Sequence, residues 1–498
     1  MDLLDPETCH EALRTRDARF DGRFFVGETS TGIYCRPICP ATAPKKEHRR
    51  FFLSAAAAQG AGFRPCLRCR PETAPDGGSW RGTSSTVARG LALIAEGELD
   101  EDGVEEFAER LGIGARQLRR LFIKHLGASP IAVAQTRRVL LAKQLIHDTR
   151  LPMSEVAIAA GFGSVRRFNE TFQQLFRRPP SELRRKTAIE LPEGTVSRAG
   201  VTLRLRYRPP YDWQAMLAFL EARAIDGVEQ VTAGTYRRTL RYEAGSGTVE
   251  IAHLPDAESL AATLRVPSVH ALGALVARIR RVFDLGADVT AIGAHLARDP
   301  LLSPLVGARP GLRTPGAWDG FELAVRAVLG QQVTVDAARK LAGKLVRICG
   351  AAVNAGQEGL AFAFPTAAEV ASADLSALGM PRARKETLRA IAEAALADPH
   401  LFHPLGNVDE TVSRLRAIRG VGDWTAHYIA LRAAREPDAF PSTDVGLLRG
   451  AASAMGGRPS PTELLARAER WRPWRAYAAQ HLWTADSPVA GEPPGGEP

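Results

Sequence analysis

The chain has little cysteine, no long apolar run and no signal-peptide pattern in its first residues. Six cysteines among 498 residues are too few for a disulfide scaffold, and four of them sit in close pairs. That usage predicts a reducing cytoplasm and one metal site. No stretch approaches the ~20 consecutive apolar residues of a membrane span. The first residues, Met1-Asp2-Leu3-Leu4-Asp5-Pro6-Glu7, have no basic start followed by an apolar block, so no signal peptide is expected. A cytoplasmic protein without a membrane partner is the expectation.

What is present is length, packing material and focused positive charge. The length allows about three or four domains. A hydrophobic content of 45% supports ordinary cores. The net charge is +10, yet residues 110–186 alone hold 16 Lys/Arg against 4 Asp/Glu, so the remainder is close to neutral. A focused basic stretch predicts a polyanion partner, nucleic acid first.

Pro71-Glu72-Thr73-Ala74-Pro75-Asp76-Gly77-Gly78-Ser79 reads as a linker. Residues 84–186 carry apolar positions at helical spacing, broken by Gly112, Gly127, Gly161 and Gly163. Val201-Thr202-Leu203-Arg204-Leu205-Arg206-Tyr207 alternates with period two and predicts a strand that opens a mixed α/β stretch running to about 305. Trp318 to Trp483 is mostly helical in pattern. The end, 487–498, is Pro/Gly/acidic and expected to be disordered.

Cys35 and Cys39 form one pair, and Cys66 and Cys69 the other, with 26 residues between. Folded back on one another they make a tetrahedral thiolate cage suited to zinc. The flanks Thr31-Gly32-Ile33-Tyr34-Cys35-Arg36-Pro37 and Gly62-Phe63-Arg64-Pro65-Cys66-Leu67-Arg68-Cys69 closely resemble the N-terminal domain of the Ada DNA-repair family, over roughly residues 5–72. The resemblance implies that zinc is both structural and activating. It also implies that Cys35 is at once a ligand and the nucleophile that accepts a methyl group from a methylated DNA phosphate. A metal-held thiol is a thiolate, the reactive form. Arg36, Lys45, Lys46, Arg49, Arg50 and Arg64 are candidates to hold the DNA backbone.

Two helix-turn-helix patterns follow. One is Gly103–Gly112 with Ala115–Phe122, the other Ser154–Phe162 with Ser164–Phe172. In each, the second helix offers arginine to solvent, as a helix in a major groove does. Gly161-Phe162 and the run from Phe168 through Phe172 to Leu175-Phe176-Arg177-Arg178-Pro179-Pro180 resemble the AraC-type DNA-binding domain. Arg116, Arg119, Arg120, Arg166 and Arg167 are the expected DNA contacts.

In the C-terminal half, Ile418-Arg419-Gly420-Val421-Gly422-Asp423-Trp424 puts Gly-Val-Gly between two helices, where backbone can approach a phosphate. Asp444 follows in Phe440-Pro441-Ser442-Thr443-Asp444; alone it would read as a helix cap. With Pro209-Pro210-Tyr211-Asp212-Trp213, Val328-Leu329-Gly330-Gln331-Gln332-Val333, Leu378-Gly379-Met380-Pro381 and Trp471-Arg472-Pro473-Trp474, these resemble the helix-hairpin-helix DNA glycosylases of the AlkA type, over about 198–486. The resemblance implies that Asp444 is the catalytic carboxylate, stabilising positive charge on the sugar or activating water. It implies that Trp424, Tyr428 and Trp483 line the base pocket, where electron-rich rings attract a cationic alkylated base. It places Gly420 and Gly422 against the DNA backbone and Gln332 at the wedge that fills the gap left by the flipped base, where the family has leucine. Trp424 stands where glycosylases that also cleave the strand carry lysine. Base excision without strand cleavage is therefore expected.

The expected fold class is multidomain α+β. It comprises a small zinc α/β domain (1–73), an AraC-type double helix-turn-helix (84–186), a mixed sheet/helix AlkA N-terminal subdomain (198–305) and an all-α helix-hairpin-helix glycosylase domain (306–486), before the tail. No Pro-Cys-His-Arg motif occurs, so direct repair of O6-alkylguanine is not expected. The partner is double-stranded alkylated DNA, and RNA polymerase too if the chain is an activator; a monomer is expected. The alternative is a transcription regulator whose glycosylase half serves only to bind DNA.

Overall fold

The computed structural model describes residues 5–17, 20–74, 85–101, 103–184, 200–242, 245–353, 359–403, 408–455 and 457–486. The expected tail lies outside the described residues, as does the expected linker beyond Ala74.

The N-terminal unit opens with α1 (Pro6–Arg14), whose cap Asp5 accepts from Thr8 N at 2.9 Å. Strands β1 (Phe25–Glu28), β2 (Ile33–Cys35), β3 (Arg49–Phe52) and β4 (Arg64–Pro65) form one sheet in the order β3-β1-β2-β4, with α2 (Ala55–Gly60) packed on it. Helices α3 (Ser85–Glu96) and α4 (Glu98–Glu101) lead into the first helix-turn-helix, α5 (Val104–Arg110) with α6 (Ala115–Leu126). The 19-residue α7 (Pro130–Asp148) joins it to the second, α8 (Met153–Ala159) with α9 (Val165–Phe176). Apolar residues four apart build each second helix: Leu118, Phe122 and Leu126 are buried in α6, and Phe168, Phe172 and Phe176 in α9.

A five-stranded antiparallel sheet follows, in the order β5-β9-β8-β7-β6. Its strands are β5 (Val201–Arg206), β6 (Glu229–Thr232), β7 (Thr235–Tyr242), β8 (Gly245–Leu254) and β9 (Ser259–Arg265), with α10 (Trp213–Glu221) inserted after β5. Helices α11 (Leu272–Val282), α12 (Val289–Leu296) and α13 (Ser303–Ala308) lead to the last region. There α14 (Gly320–Leu329), α15 (Val335–Cys349), α16 (Ala367–Ser372), α17 (Arg382–Ala397), α18 (Val408–Arg416), α19 (Asp423–Arg432), α20 (Val445–Met455), α21 (Pro461–Ala468) and α22 (Arg475–Asp486) surround one core. This region is not wholly helical. A two-stranded ribbon, β10 (Ala351–Ala352) with β11 (Phe362–Ala363), sits between α15 and α16.

The cores do not respect the expected boundaries. One cluster runs from α7–α9 (Leu145, Phe168, Phe172) into the sheet (Leu203, Tyr236, Ile251, Leu264) and on to Trp318. The second helix-turn-helix and the sheet therefore share a single apolar interior. The zinc unit is joined to them by buried polar contacts. Lys143 Nζ, on α7, donates to Glu72 Oε2 at 2.6 Å and to Cys66 O at 2.8 Å. Arg208 pairs with Asp288 and also donates to Asp21 O.

Candidate zinc centre and candidate active site

Strand pairing assembles the cysteine cage. Parallel β2 and β4 set Ile33 beside Arg64 and Tyr34 beside Pro65, and Cys66 N donates to Tyr34 O at 3.0 Å. Cys35 and Cys66 therefore leave the sheet side by side. A turn closed by Cys39 N to Arg36 O at 3.1 Å brings Cys39 back. All four Sγ atoms lie within 4.8 Å of one another. A zinc tetrahedron with Zn–S near ~2.3 Å needs sulfurs ~3.8 Å apart, so the donor set and its spacing fit zinc. Backbone amides orient two of the sulfurs: Arg36 N donates to Cys69 at 3.4 Å and Arg68 N to Cys66 at 3.3 Å. Cys39, Cys66 and Cys69 are buried, while Cys35 is only half-buried.

Arg36 departs from expectation. Its guanidinium is buried, paired with Asp21 and donating to Cys69 O at 3.0 Å. It braces the cage from inside and has no free face for a phosphate. Arg49 is likewise occupied, by Pro44 O at 2.7 Å and His10 Nδ1 at 3.0 Å. Lys45, Lys46 and Arg50 are exposed.

The basic stretch is also partly internal. Arg137 and Arg138 both pair with Asp100, at 2.9 and 2.7 Å, and Lys143 pairs with Glu72. Arg116, Arg119, Arg120, Arg166 and Arg167 are all exposed on the first turns of α6 and α9, with Arg166 held to Glu170 at 2.8 Å.

The third site forms where α19, α20 and α22 meet. Asp444 lies just before α20 and caps it, Oδ1 accepting from Leu447 N at 3.0 Å. The same carboxylate accepts from Trp424 Nε1 on Oδ2 at 2.6 Å and from Trp483 Nε1 on Oδ1 at 2.8 Å. The cap and the site are thus one residue. Trp424 stacks on Tyr428, with centroids 5.3 Å apart and planes at 11°, and Tyr428 meets Trp483 edge-on at 6.3 Å. Spacing along α19 explains the stack, since residues four apart share a helix face. Burial raises the Tyr428 phenol, but the adjacent Arg223 and Arg432 guanidiniums outweigh it and its pKa falls.

Beside this cage, Gly420 turns the hairpin between α18 and α19 with φ +83°, and a side chain there would collide with Thr387 Oγ1. Gly422 has open space where its side chain would be. Gln332 is exposed with φ +57°, between the end of α14 and the start of α15. Its neighbour Gln331 ties that loop to the hairpin, Nε2 donating to Thr425 Oγ1 at 3.0 Å, while Arg384 donates to Gln331 O at 2.8 Å. Sequence reading missed Phe219, Arg223 and Arg432. The first two come from the mixed subdomain and carried no motif; Arg432 was legible as the next α19 position after 424 and 428.

This fold and cage define a base-excision architecture carrying a thiolate metal module and a helix-turn-helix module. Family models agree along the chain: the metal binding domain of Ada at 8–72, a helix-turn-helix domain at 107–186, the AlkA N-terminal domain at 202–319, and the HhH-GPD superfamily base excision DNA repair protein at 325–476. A probable bifunctional transcriptional activator/DNA repair enzyme AlkA of Mycobacterium tuberculosis (strain ATCC 25618 / H37Rv) is 43% identical over 492 residues, 98% of each chain. The chain belongs to this family of bifunctional AlkA proteins. Escherichia coli (strain K12) DNA-3-methyladenine glycosylase 2 is 37% identical over 284 residues, covering 56% of this chain and 95% of that one. A 3-methyladenine DNA-glycosylase structure from Archaeoglobus fulgidus shares the fold over 57% of this chain and 97% of its own, at 22% identity and a TM-score of 0.50.

Proposed function

We propose that the chain repairs alkylated double-stranded DNA in two ways. It excises alkylated bases of the 3-methyladenine type at Asp444, and it accepts a methyl group from DNA methylphosphotriesters on Cys35. The observation that carries the first activity is a carboxylate fixed by two indole N–H groups inside an aromatic cage. Helix capping alone requires neither indole.

In excision, the bond between C1′ of the sugar and the base nitrogen breaks and its electron pair leaves with the base. The sugar becomes oxocarbenium-like and water then bonds to C1′. Three N–H donors already occupy most of the acceptor directions of Asp444. What the residue chiefly offers is negative charge in a fixed place, so it stabilises the sugar cation electrostatically. Trp424, Tyr428 and Trp483 form the wall against the flipped base, Gly420 and Gly422 let the hairpin approach the backbone, and Gln332 fills the gap. Trp424 offers no amine for a Schiff base, so excision proceeds without strand cleavage.

In methyl transfer, Cys35 Sγ bonds to the methyl carbon as the carbon–oxygen bond breaks, and the phosphodiester leaves as its anion. Zinc held by Cys35, Cys39, Cys66 and Cys69 keeps the sulfur as thiolate and offsets part of its charge. Cys35 is the least buried of the four, which supports its role as acceptor. Arg116, Arg119, Arg120, Arg166 and Arg167 bind duplex DNA, giving a transcription activator that works with RNA polymerase as a monomer.

One experiment tests both chemistries. The full chain is incubated with methylated duplex DNA, released bases are analysed and the protein is weighed by mass spectrometry. Wild type is expected to release free base and gain one methyl mass. Asp444→Asn is expected to lose base release and keep methyl gain; Cys35→Ala is expected to do the reverse. Base release undiminished in Asp444→Asn would refute the catalytic assignment. Borohydride trapping of a protein–DNA adduct would refute excision without a lyase step.

A further inference from the structure

Arg432 packs against Tyr428 and Trp483, two of the rings gathered around Asp444. Only 2% of it is exposed. Its guanidinium carbon is 5.7 Å from the Tyr428 ring centroid, 5.0 Å from that of Trp483 and 4.6 Å from that of Phe219. Among the described residues no carboxylate pairs with it: it donates to Pro315 O at 3.0 Å and Gln480 Oε1 at 2.9 Å, and the Tyr428 phenol is a further hydrogen-bond partner. Arg223 stands 4.0 Å from the same Phe219 ring and adds charge of the same sign. A third cation nearby, Arg435, is paired with Asp284 at 2.5 Å. Burial, with help from Arg223 and Arg435 and against the pull of Tyr428, lowers Arg432 to about 10, so it remains cationic at neutral pH. The cage therefore has a negative end at Asp444 and a positive wall at Arg432 and Arg223.

We propose that Arg432, with Arg223 beside it, is a specificity-determining residue that enables the site to expel neutral damaged bases as well as cationic ones. The inference rests on the reading of Asp444 and its aromatic cage as the excision site. A cationic base leaves as a neutral molecule when it takes the electron pair of the broken bond, and it needs no positive wall. A neutral base leaves as an anion, and fixed positive charge behind the rings stabilises it. The proton released when water bonds to C1′ ends on that anion, or in solvent when the base leaves neutral. The same wall repels a base that arrives charged, opposing the attraction of the ring faces. Both effects favour neutral substrates, so removing the guanidinium charge shifts selectivity one way.

The test measures single-turnover excision by the full chain from duplexes holding one 7-methylguanine (cationic) or one hypoxanthine (neutral). Arg432→Lys keeps the charge and is expected to hold the cationic-to-neutral rate ratio near wild type. Arg432→Gln removes it and is expected to raise the ratio by about tenfold or more. Arg223→Gln, at a half-buried position, is expected to move the ratio the same way by less, and it reads the effect if Arg432→Gln fails to fold. Equal loss on both substrates in the glutamine variants, or a lysine variant no different from glutamine, would overturn the proposal. Wild-type protein that releases the cationic base only, or neither base, would also overturn it; the excision reading itself falls only if no free base leaves methylated duplex DNA.

Discussion

Asp444 shows how much one carboxylate can be asked to do. It closes the first turn of α20 through Leu447 N and anchors two indoles from different helices. Its place in the sequence was legible, because Asp444 stands twenty residues beyond Trp424, just after the glycine hairpin, in a familiar pattern. The two indole contacts were not, since nothing local brings Trp483 to Asp444. Trp424→Phe keeps a ring against Tyr428 and deletes one donor to the carboxylate. It is expected to slow the single-turnover excision rate by about tenfold, the worth of one charge-assisted hydrogen bond, with little change in DNA affinity. An equal loss of both would mean that Trp424 serves mainly as packing. Arg36 carries the opposite lesson. An arginine beside a zinc ligand reads as a phosphate contact, but Asp21 reaches it from fifteen residues upstream and takes it into the interior.

At the scale of elements, two glycines separate fold from function. Helices α20 and α22 pack so closely that a side chain at Gly450 would collide with Leu482 O, one residue before Trp483. Gly450→Ala is expected to force the helices apart, lowering stability by ~1–3 kcal/mol, and to slow excision by pulling Trp483 from Asp444. Thermal unfolding and single-turnover rates together check it. A side-chain carbon added at Gly422 would meet nothing within 4 Å, so no internal contact requires glycine there. Gly422→Ala is expected to leave the melting temperature unchanged while weakening duplex binding severalfold in a titration, because the added methyl stands on the face of the hairpin proposed to approach DNA. The helix-turn-helix pairs were legible as elements because their apolar residues recur every four positions. The ribbon of β10 and β11 was not: its strands are two residues long, too short for any period to register.

For the whole molecule, charge buried between units matters more than charge on display. Lys143, Arg137 and Arg138 belong to the basic stretch by sequence, yet they are used inside, against Glu72 and Asp100. Glu436, which accepts from Thr411 Oγ1 at 3.3 Å, shows the cost of such burial. Burial first, and Asp438 next, push its carboxyl up to about 7 against the lowering effect of Thr411 and Arg89. Below its ordinary value of 4.5 both folded and unfolded chains hold the proton. Between that value and about 7 only the unfolded chain releases it, so this group's contribution to stability falls as pH rises through the window, and the loss is complete above it. Glu436→Gln is expected to match wild type at low pH and to exceed it by ~1–2 kcal/mol at pH 8, measured by denaturant unfolding at both pH values. A constant difference at both would assign the effect to packing rather than to ionisation.

The sequence by itself determined the order of modules, the four cysteines of the zinc cage and the glycine hairpin, because each depends on residue types at fixed spacings. Tertiary structure alone decided which cations face solvent, and that α7–α9 and the five-stranded sheet share one core. It also decided that Arg432 and Arg223, from different regions of the chain, stand against the aromatic residues around Asp444. Those outcomes depend on which groups meet across the fold, and in a close-packed interior an arginine is a DNA ligand, a brace or an electrostatic wall according to what lies opposite it.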